Sequence, residues 1–206
     1  MSEFYEDTIA TPTRKLFNKL ATSPWLSDFY LAGGTALALQ LGHRTSVDLD
    51  FFSEKNFDEA VVIEHLTTLG KLQILKRAPQ SVIGTLDGVK FSFLGYMYPL
   101  LNTPLRFRSV NIASIEDIAC MKLDALSSRG TKRDFIDVHF IASRISLSEL
   151  LGLFNRKFAS VGYNMVHIKK SLVFFDDAED DPMPAMLVPA NWGDIKDFFV
   201  NEVTSL

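Results

Sequence analysis

The sequence predicts an α/β first half followed by a mostly helical second half. Three observations carry that prediction. Residues 46–53, 81–86 and 89–93 are short runs whose apolar side chains recur every second position, the period of a strand. Asp87-Gly88 lies between the last two and is a strong two-residue hairpin signal. From Ser114 onward the apolar positions recur at the three- and four-residue spacing of helices. The change of class near residues 112–114 divides the chain into an α/β core, 1–112, and a helical lobe, 113–206. No linker composition separates them, so the lobe is expected to pack on the core.

In chain order, Thr11-Pro12 reads as a helix cap followed by proline, with Leu16, Phe17 and Leu20 as the apolar stripe. Residues 29–32 form a short apolar strand that runs into Gly33-Gly34. Thr35 opens a helix that Gly42 stops. In the strand 46–53, Val47, Leu49 and Phe51 share one face and Asp48, Asp50 and Phe52 the other. Asn56 or Asp58 caps a helix over 59–69, and strands follow at 72–76, 81–86 and 89–93. Residues 96–104 read as loop and 107–112 as one more strand. Helices are then expected over 114–129, 132–143, from Ser146, over 164–174 and after Asn191, with an acidic loop at 175–182.

Hydrophobic residues make up 47% of the 206, enough for a real core, and 17 phenylalanines predict an interior packed with Phe. The net charge of −4 excludes a protein that binds nucleic acid over its whole surface, so any such contact needs a local basic patch. The single Cys120 excludes an intrachain disulfide and a cysteine zinc cluster; its apolar helical setting predicts a buried thiol. The acidic N-terminal stretch has no apolar signal region, and no apolar run reaches the ~20 residues of a membrane span, so a soluble cytoplasmic protein is expected.

Three groups of residues carry chemistry. Asp48 and Asp50, two apart on a strand, point the same way; two adjacent carboxylates repel unless neutralised, and Mg²⁺ accepts such oxygens together with phosphates. D-x-D alone fits a solvated strand face better, and the apolar flanks Val47, Leu49, Phe51 and Phe52 shift the balance, because unpaired buried charges are costly. Gly33-Gly34-Thr35 offers close backbone approach, a hydroxyl and a helix start, but it is neither a Walker A loop nor a dinucleotide fingerprint, and alone fits an ordinary turn. Arg44 and Ser46 lie just before the carboxylates. The third group is Lys122, Arg129, Lys132, Arg133, Asp134 and Asp137, where Lys122 and Arg129 share a helix side and the two acids share a face. Its cations suit a triphosphate or an RNA backbone, and alone they fit a solvated helix surface.

Gly33-Gly34-Thr35, then Arg44-Thr45-Ser46-x-Asp48-x-Asp50, then Lys122 through Arg129-x-x-Lys132-Arg133-Asp134-x-x-Asp137, together resemble the AbiEii-type nucleotidyltransferase toxins. These are the toxin halves of bacterial abortive-infection toxin–antitoxin pairs, related to the MenT toxins. The likeness covers about residues 25–55 and 112–142; residues 143–206 carry no motif of it. It implies a nucleotidyltransferase fold, a small mixed sheet with flanking helices, and transfer of a nucleotide from an NTP with Mg²⁺ (Mn²⁺ as a substitute) to an acceptor that is tRNA in some members. It also implies a possible cognate antitoxin. Carried over, Asp48 and Asp50 hold metal; Gly33, Gly34, Thr35 and Ser46 cradle phosphates; Lys122 binds triphosphate. Asp134 becomes the later carboxylate, and Arg44, Arg129 and Lys132 give electrostatic support. One departure stands out. Many nucleotidyltransferases carry a third acid on the strand after the hairpin, and here that strand, Val89-Lys90-Phe91-Ser92-Phe93, has none. A nucleotide- or partner-binding protein without catalysis is the alternative this leaves open, and a metal-dependent nuclease is a weaker one.

Overall fold

The computed structural model describes residues 4–206; the first three residues of the acidic N-terminal stretch lie outside the described residues. One mixed sheet of seven strands forms the centre. The strands are β1 (Tyr30–Ala32), β2 (Leu49–Ser53), β3 (Leu72–Ala78), β4 (Ser81–Leu86), β5 (Val89–Gly95), β6 (Leu105–Phe107) and β7 (Val110–Ile112), in spatial order β3-β4-β5-β2-β1-β7-β6. β2 runs antiparallel to β1 and parallel to β5, with Asp50 opposite Ala32 on one side and Ser92 on the other. That register decides what surrounds the carboxylates.

The helices are α1 (Thr11–Ala21), α2 (Gly33–Leu41), α3 (Glu59–Thr67), α4 (Ile115–Ser128), α5 (Lys132–Ala142), α6 (Leu147–Lys157), α7 (Met165–Ser171), α8 (Asp176–Glu179) and α9 (Trp192–Thr204). Ser114, Ser146, Asn164 and Asn191 cap α4, α6, α7 and α9 through their side-chain oxygens, and Asp58 caps α3. The expected stop of α2 at Gly42 holds, with φ +71°. The hairpin at Asp87-Gly88 also forms, with φ +51° and +81°.

Of the boundaries that differ from the sequence expectation, four have a clear local reason. Ala10, not Thr11, caps α1, because its N–H bonds to the Ser46 carbonyl and holds it extended. Ser46 itself pairs with Thr8 and Ala10, so β2 begins only at Leu49, and Val47 is exposed rather than part of the apolar face. Residues 105–112 make a hairpin, not a single strand, turning at Arg108 with φ +55°. The acidic loop contains one helical turn, α8.

A single apolar core runs through both halves of the chain. Phenylalanine dominates it as expected: Phe51 stacks on Phe93 at 5.0 Å, and Phe135 meets Phe175, Trp192 and Phe199, fastening α8 and α9 to α5. Truncating one such ring to alanine costs about 3–5 kcal/mol. Cys120 is buried, and burial pushes its thiol up to about 12. α4 and α5 pack on α2, which brings the second half of the chain to the Gly33-Gly34 turn. Among the described residues no helix is long and apolar enough to cross a membrane.

Candidate active site

β1 ends at Ala32 and the chain turns at once into α2. Gly33 has φ +66°, and a Cβ there would sit 2.9 Å from Asp50 Oδ2. A Cβ on Gly34 would sit 2.6 Å from the Arg44 guanidinium. The two glycines therefore make room for a carboxylate and a cation. Thr35, in contrast, is buried. Its hydroxyl donates to the Asp48 carbonyl and lies 2.8 Å from Ser46 Oγ. In this structure the Thr35 hydroxyl, expected at a phosphate, fastens the start of α2 to the approach to β2.

Asp48 and Asp50 lie side by side on the rim of a charged trough lined also by Gly34, Arg44, Ser46, Lys90, Lys122, Arg129, Thr131, Arg133 and Asp134. The segment after residue 112 thus faces the D-x-D pair across one cleft. Five cations oppose three carboxylates on its walls, a locally positive site in a protein of net charge −4. Burial raises the pKa of Asp48 and neighbouring Asp50 adds to it, while Lys90 and Arg133 pull the other way. Asp50 accepts a hydrogen bond from Ser92 Oγ at 2.6 Å.

Behind the trough sits a buried ion network. Asp137 Oδ1 accepts from Arg44 Nε at 2.7 Å and from His43 Nε2 at 2.8 Å. Asp137 Oδ2 accepts from Arg44 Nη2 at 2.8 Å and lies 2.6 Å from Lys122 Nζ. Lys122 reaches on to Asp134 at 2.8 Å. Asp134 also accepts from Arg129 Nε at 3.0 Å and Thr131 Oγ1 at 2.7 Å. Burial alone would raise both carboxylates. Lys122 and Arg44 outweigh it at Asp137, holding it well below the usual carboxylate range, and Lys122 and Arg129 lower Asp134. The same ion pairs overcome burial at Lys122 and raise it. Asp134 is thus surrounded by donors. It positions Lys122 and Arg129 and stands on the opposite wall from the D-x-D pair.

Lys132 is placed elsewhere. Its ammonium donates to the Glu179 and Asp181 carbonyls and sits over the Trp192 ring, outside the trough lining. It anchors the segment after α8. That segment returns to pair with residues 43–45, with Thr45 N–H donating to the Ala185 carbonyl. Residues 181–185 so wall a second cavity of about 400 Å³ beside Asp48. A third cavity, of about 340 Å³, opens on the other side of the trough, beside Asp50.

With this geometry in hand, comparison with known proteins is decisive. The family described as Nucleotidyl transferase AbiEii toxin, Type IV TA system, matches over residues 14–93 and 95–205. The chain belongs to this family. The AbiEii match extends through residues 143–205, where no motif is visible in the sequence. The uncharacterized protein aq_aa25 of Aquifex aeolicus (strain VF5) is 37% identical over 196 residues, 92% of this chain and 93% of that protein. Two solved structures share the fold of this AbiEii protein. One is a putative nucleotidyltransferase of H. pylori, with a TM-score of 0.57, 19% identity and coverage of 95% of this chain and 93% of that one. The other is MenT4, a nucleotidyltransferase toxin of Mycobacterium tuberculosis H37Rv, with a TM-score of 0.57, 17% identity and coverage of 86% and 76%. The fold is the α/β nucleotidyltransferase fold, and the protein is a member of a nucleotidyltransferase toxin family.

Two trough residues, Lys90 and Thr131, and the Asp50 partner Ser92 lay outside the sequence assignment, and Arg133 was grouped with the cations without a role of its own. Lys90 and Ser92 alternate on one face of β5, and pairing β5 beside β2 aims that face at Asp48 and Asp50. The two-residue period was visible; the parallel pairing was not. Arg133 precedes Asp134 in the same motif, but only the direction of α5 sends it into the trough rather than Lys132.

Proposed function

We propose that this protein transfers a nucleotide from a nucleoside triphosphate to an acceptor hydroxyl on RNA, with tRNA as the first candidate and Mg²⁺ as the bound metal. The observation that carries the reading is the trough, in which the Asp48/Asp50 pair faces Lys122, Arg129, Arg133, Lys90 and Arg44. A D-x-D pair without counter-charges would be a solvated strand face; cations without the carboxylates would be an anion site.

The two carboxylates suit a hard divalent cation. They offer only oxygen, they lie next to each other, and the pKa of Asp48 is raised because Lys90 and Arg133 do not fully offset its burial and the nearby Asp50. Among the described residues no cluster of three or more acidic, His or Cys side chains could hold a metal by itself. That fits a Mg²⁺ whose remaining ligands come from phosphate and water. When bound, the metal would neutralise the triphosphate and polarise the α-phosphate.

The chain's own residues do the rest. Gly33 and Gly34 let the start of α2 come close to the Asp50 and Arg44 side chains. Lys122 and Arg129, aimed by Asp134, take the negative charge that develops on the departing pyrophosphate. Ser92 fixes one oxygen of Asp50 and leaves the other for the site. In the transfer, the acceptor oxygen bonds to the α-phosphorus, the bond to the β-phosphate bridge breaks, and the hydroxyl proton is released. The toxin–antitoxin description of the family supports a cognate antitoxin as partner.

The test is incubation with α-labelled NTPs, Mg²⁺ and total tRNA. Label transfer by wild type, lost in Asp48→Ala/Asp50→Ala, supports the reading; no transfer by wild type overturns it. Because β5 carries Ser92 where an acid would serve chemistry, a nucleotide-binding protein without transfer is the second reading. It predicts heat of NTP binding in calorimetry with no product. Shortened rather than extended RNA indicates a nuclease.

A further inference from the structure

The two cavities that flank the trough differ in kind. The one beside Asp48 is walled by Val47 and by Pro182, Met183, Pro184 and Ala185, with no aromatic ring. The one beside Asp50 is walled by Phe52, Tyr96, Leu94, Ile118, Met121 and Ala125, and shares Gly34, Asp50, Lys122 and Arg129 with the trough. A nucleoside triphosphate has one polyanionic end and one flat aromatic end. Bases stack on aromatic and apolar side chains irrespective of their identity, so the Phe52/Tyr96 cavity matches the aromatic end.

Two polar groups break this apolar lining. The Tyr96 hydroxyl is buried and has no hydrogen-bond partner among the described residues. Asp124, on α4, also lines the cavity. Its Oδ1 accepts a hydrogen bond from Tyr163 Oη at 2.5 Å, which fixes the carboxylate from the helical half of the chain. Among the described residues no hydrogen bond uses Oδ2.

We infer that this cavity is the nucleoside pocket and that Asp124 is the group that reads the base, selecting nucleobases that present an amino group. The inference rests on the NTP reading above. A carboxylate only accepts hydrogen bonds, so it favours an exocyclic N–H₂, as on cytosine, adenine and guanine. Uracil offers a single ring N–H between two carbonyl oxygens, and those oxygens face the carboxylate unfavourably. Tyr163 acts as a positioning residue: it spends one oxygen of Asp124 and fixes the other.

The experiment is calorimetric binding of ATP, CTP, GTP and UTP, each with Mg²⁺, to the full chain, for wild type, Asp124→Asn and Tyr163→Phe. For wild type, UTP is expected to bind at least about tenfold more weakly than the amino-bearing nucleotides, the discrimination of one good base contact. In Asp124→Asn, whose amide oxygen still accepts from Tyr163, the gap narrows to about threefold or less. In Tyr163→Phe the carboxylate remains but is no longer fixed, so ATP, CTP and GTP bind more weakly, UTP is little changed, and the gap to UTP narrows without vanishing. Equal binding of all four nucleotides by wild type overturns the inference and leaves the NTP reading standing. An unchanged order in Asp124→Asn does the same. If wild type binds none of the four, the NTP reading falls and the inference with it. The wild-type order decides even if the variant folds poorly.

Discussion

Two pairs of aspartates, a few ångströms of protein apart, face opposite electrostatic conditions. Asp134 and Asp137 are saturated: every oxygen accepts from arginine, lysine, histidine or threonine, and these partners lower the pKa of Asp134 and hold Asp137 well below the usual carboxylate range. Of Asp48 and Asp50 only Asp50 accepts a side-chain hydrogen bond, from Ser92, and burial, with its neighbour Asp50, raises the pKa of Asp48 from its ordinary value. The first pair is satisfied by the protein and serves its structure. The second is left unsatisfied by the protein, which is the condition for a site that a cation completes. The difference separates two kinds of motif aspartate that look alike in sequence: the helix α5 carboxylates are ion-paired by Lys122, Arg129, Arg44 and His43 from other segments, and the pair at the start of β2 is not.

The largest effect that could break this comparison is at Asp137. Asp137→Ala leaves Arg44, His43 and Lys122 buried without their counter-charge, and should destabilise the protein by about 3–5 kcal/mol in urea unfolding. A loss below about 1 kcal/mol would place Asp137 with the second pair. Lys132→Ala comes next. It unpairs two carbonyls at the C-terminal segment and should cost about 1–3 kcal/mol while leaving NTP affinity within about twofold. A large fall in affinity with unchanged stability would assign Lys132 to the phosphates instead. Ser92→Ala should cost about 0.5–1.5 kcal/mol, and in label transfer should lower the rate without raising the KM for NTP in proportion.

The smallest effect is on pH. A carboxylate whose folded pKa is lowered contributes stability that is complete above its unfolded pKa, about 4, and is lost as pH falls through the folded value. Asp134 and Asp137 are of this kind, so the wild type should lose stability on acidification below about pH 4. Asp137→Asn should show a shallower acid limb in unfolding measured across that range. Asp48 has the opposite sign: its raised pKa makes its ionised form a liability in the folded protein without metal.

How much of this could be read in the sequence follows from the range of the interactions involved. The strand period, the Asp87-Gly88 turn, the serine and asparagine caps and the glycine stop at Gly42 are local, and they hold in the fold. The trough joins residues 33–50 to residues 122–134, and the motif spacing was enough to bring both to one site. Three things depended on tertiary pairing and were not legible. Thr35 is turned to its own scaffold by Ser46 and the Asp48 carbonyl. Lys132 is captured by a segment some 50 residues later. Lys90 and Ser92 reach the carboxylates only because β5 lies parallel to β2. Gly33 and Gly34 are points of close approach, and in this fold what approaches is the Asp50 and Arg44 side chains.

The most direct measurement of the central claim is thermal melting of wild type and Asp48→Asn, each with and without Mg²⁺ and NTP. Without additions, Asp48→Asn should melt at the wild-type temperature or slightly above, since it removes an uncompensated charge. With Mg²⁺ and NTP, wild type should gain several degrees and Asp48→Asn should gain little. A variant that is markedly less stable alone, or that gains as much as wild type, would show that Asp48 belongs to the scaffold and contradict the account.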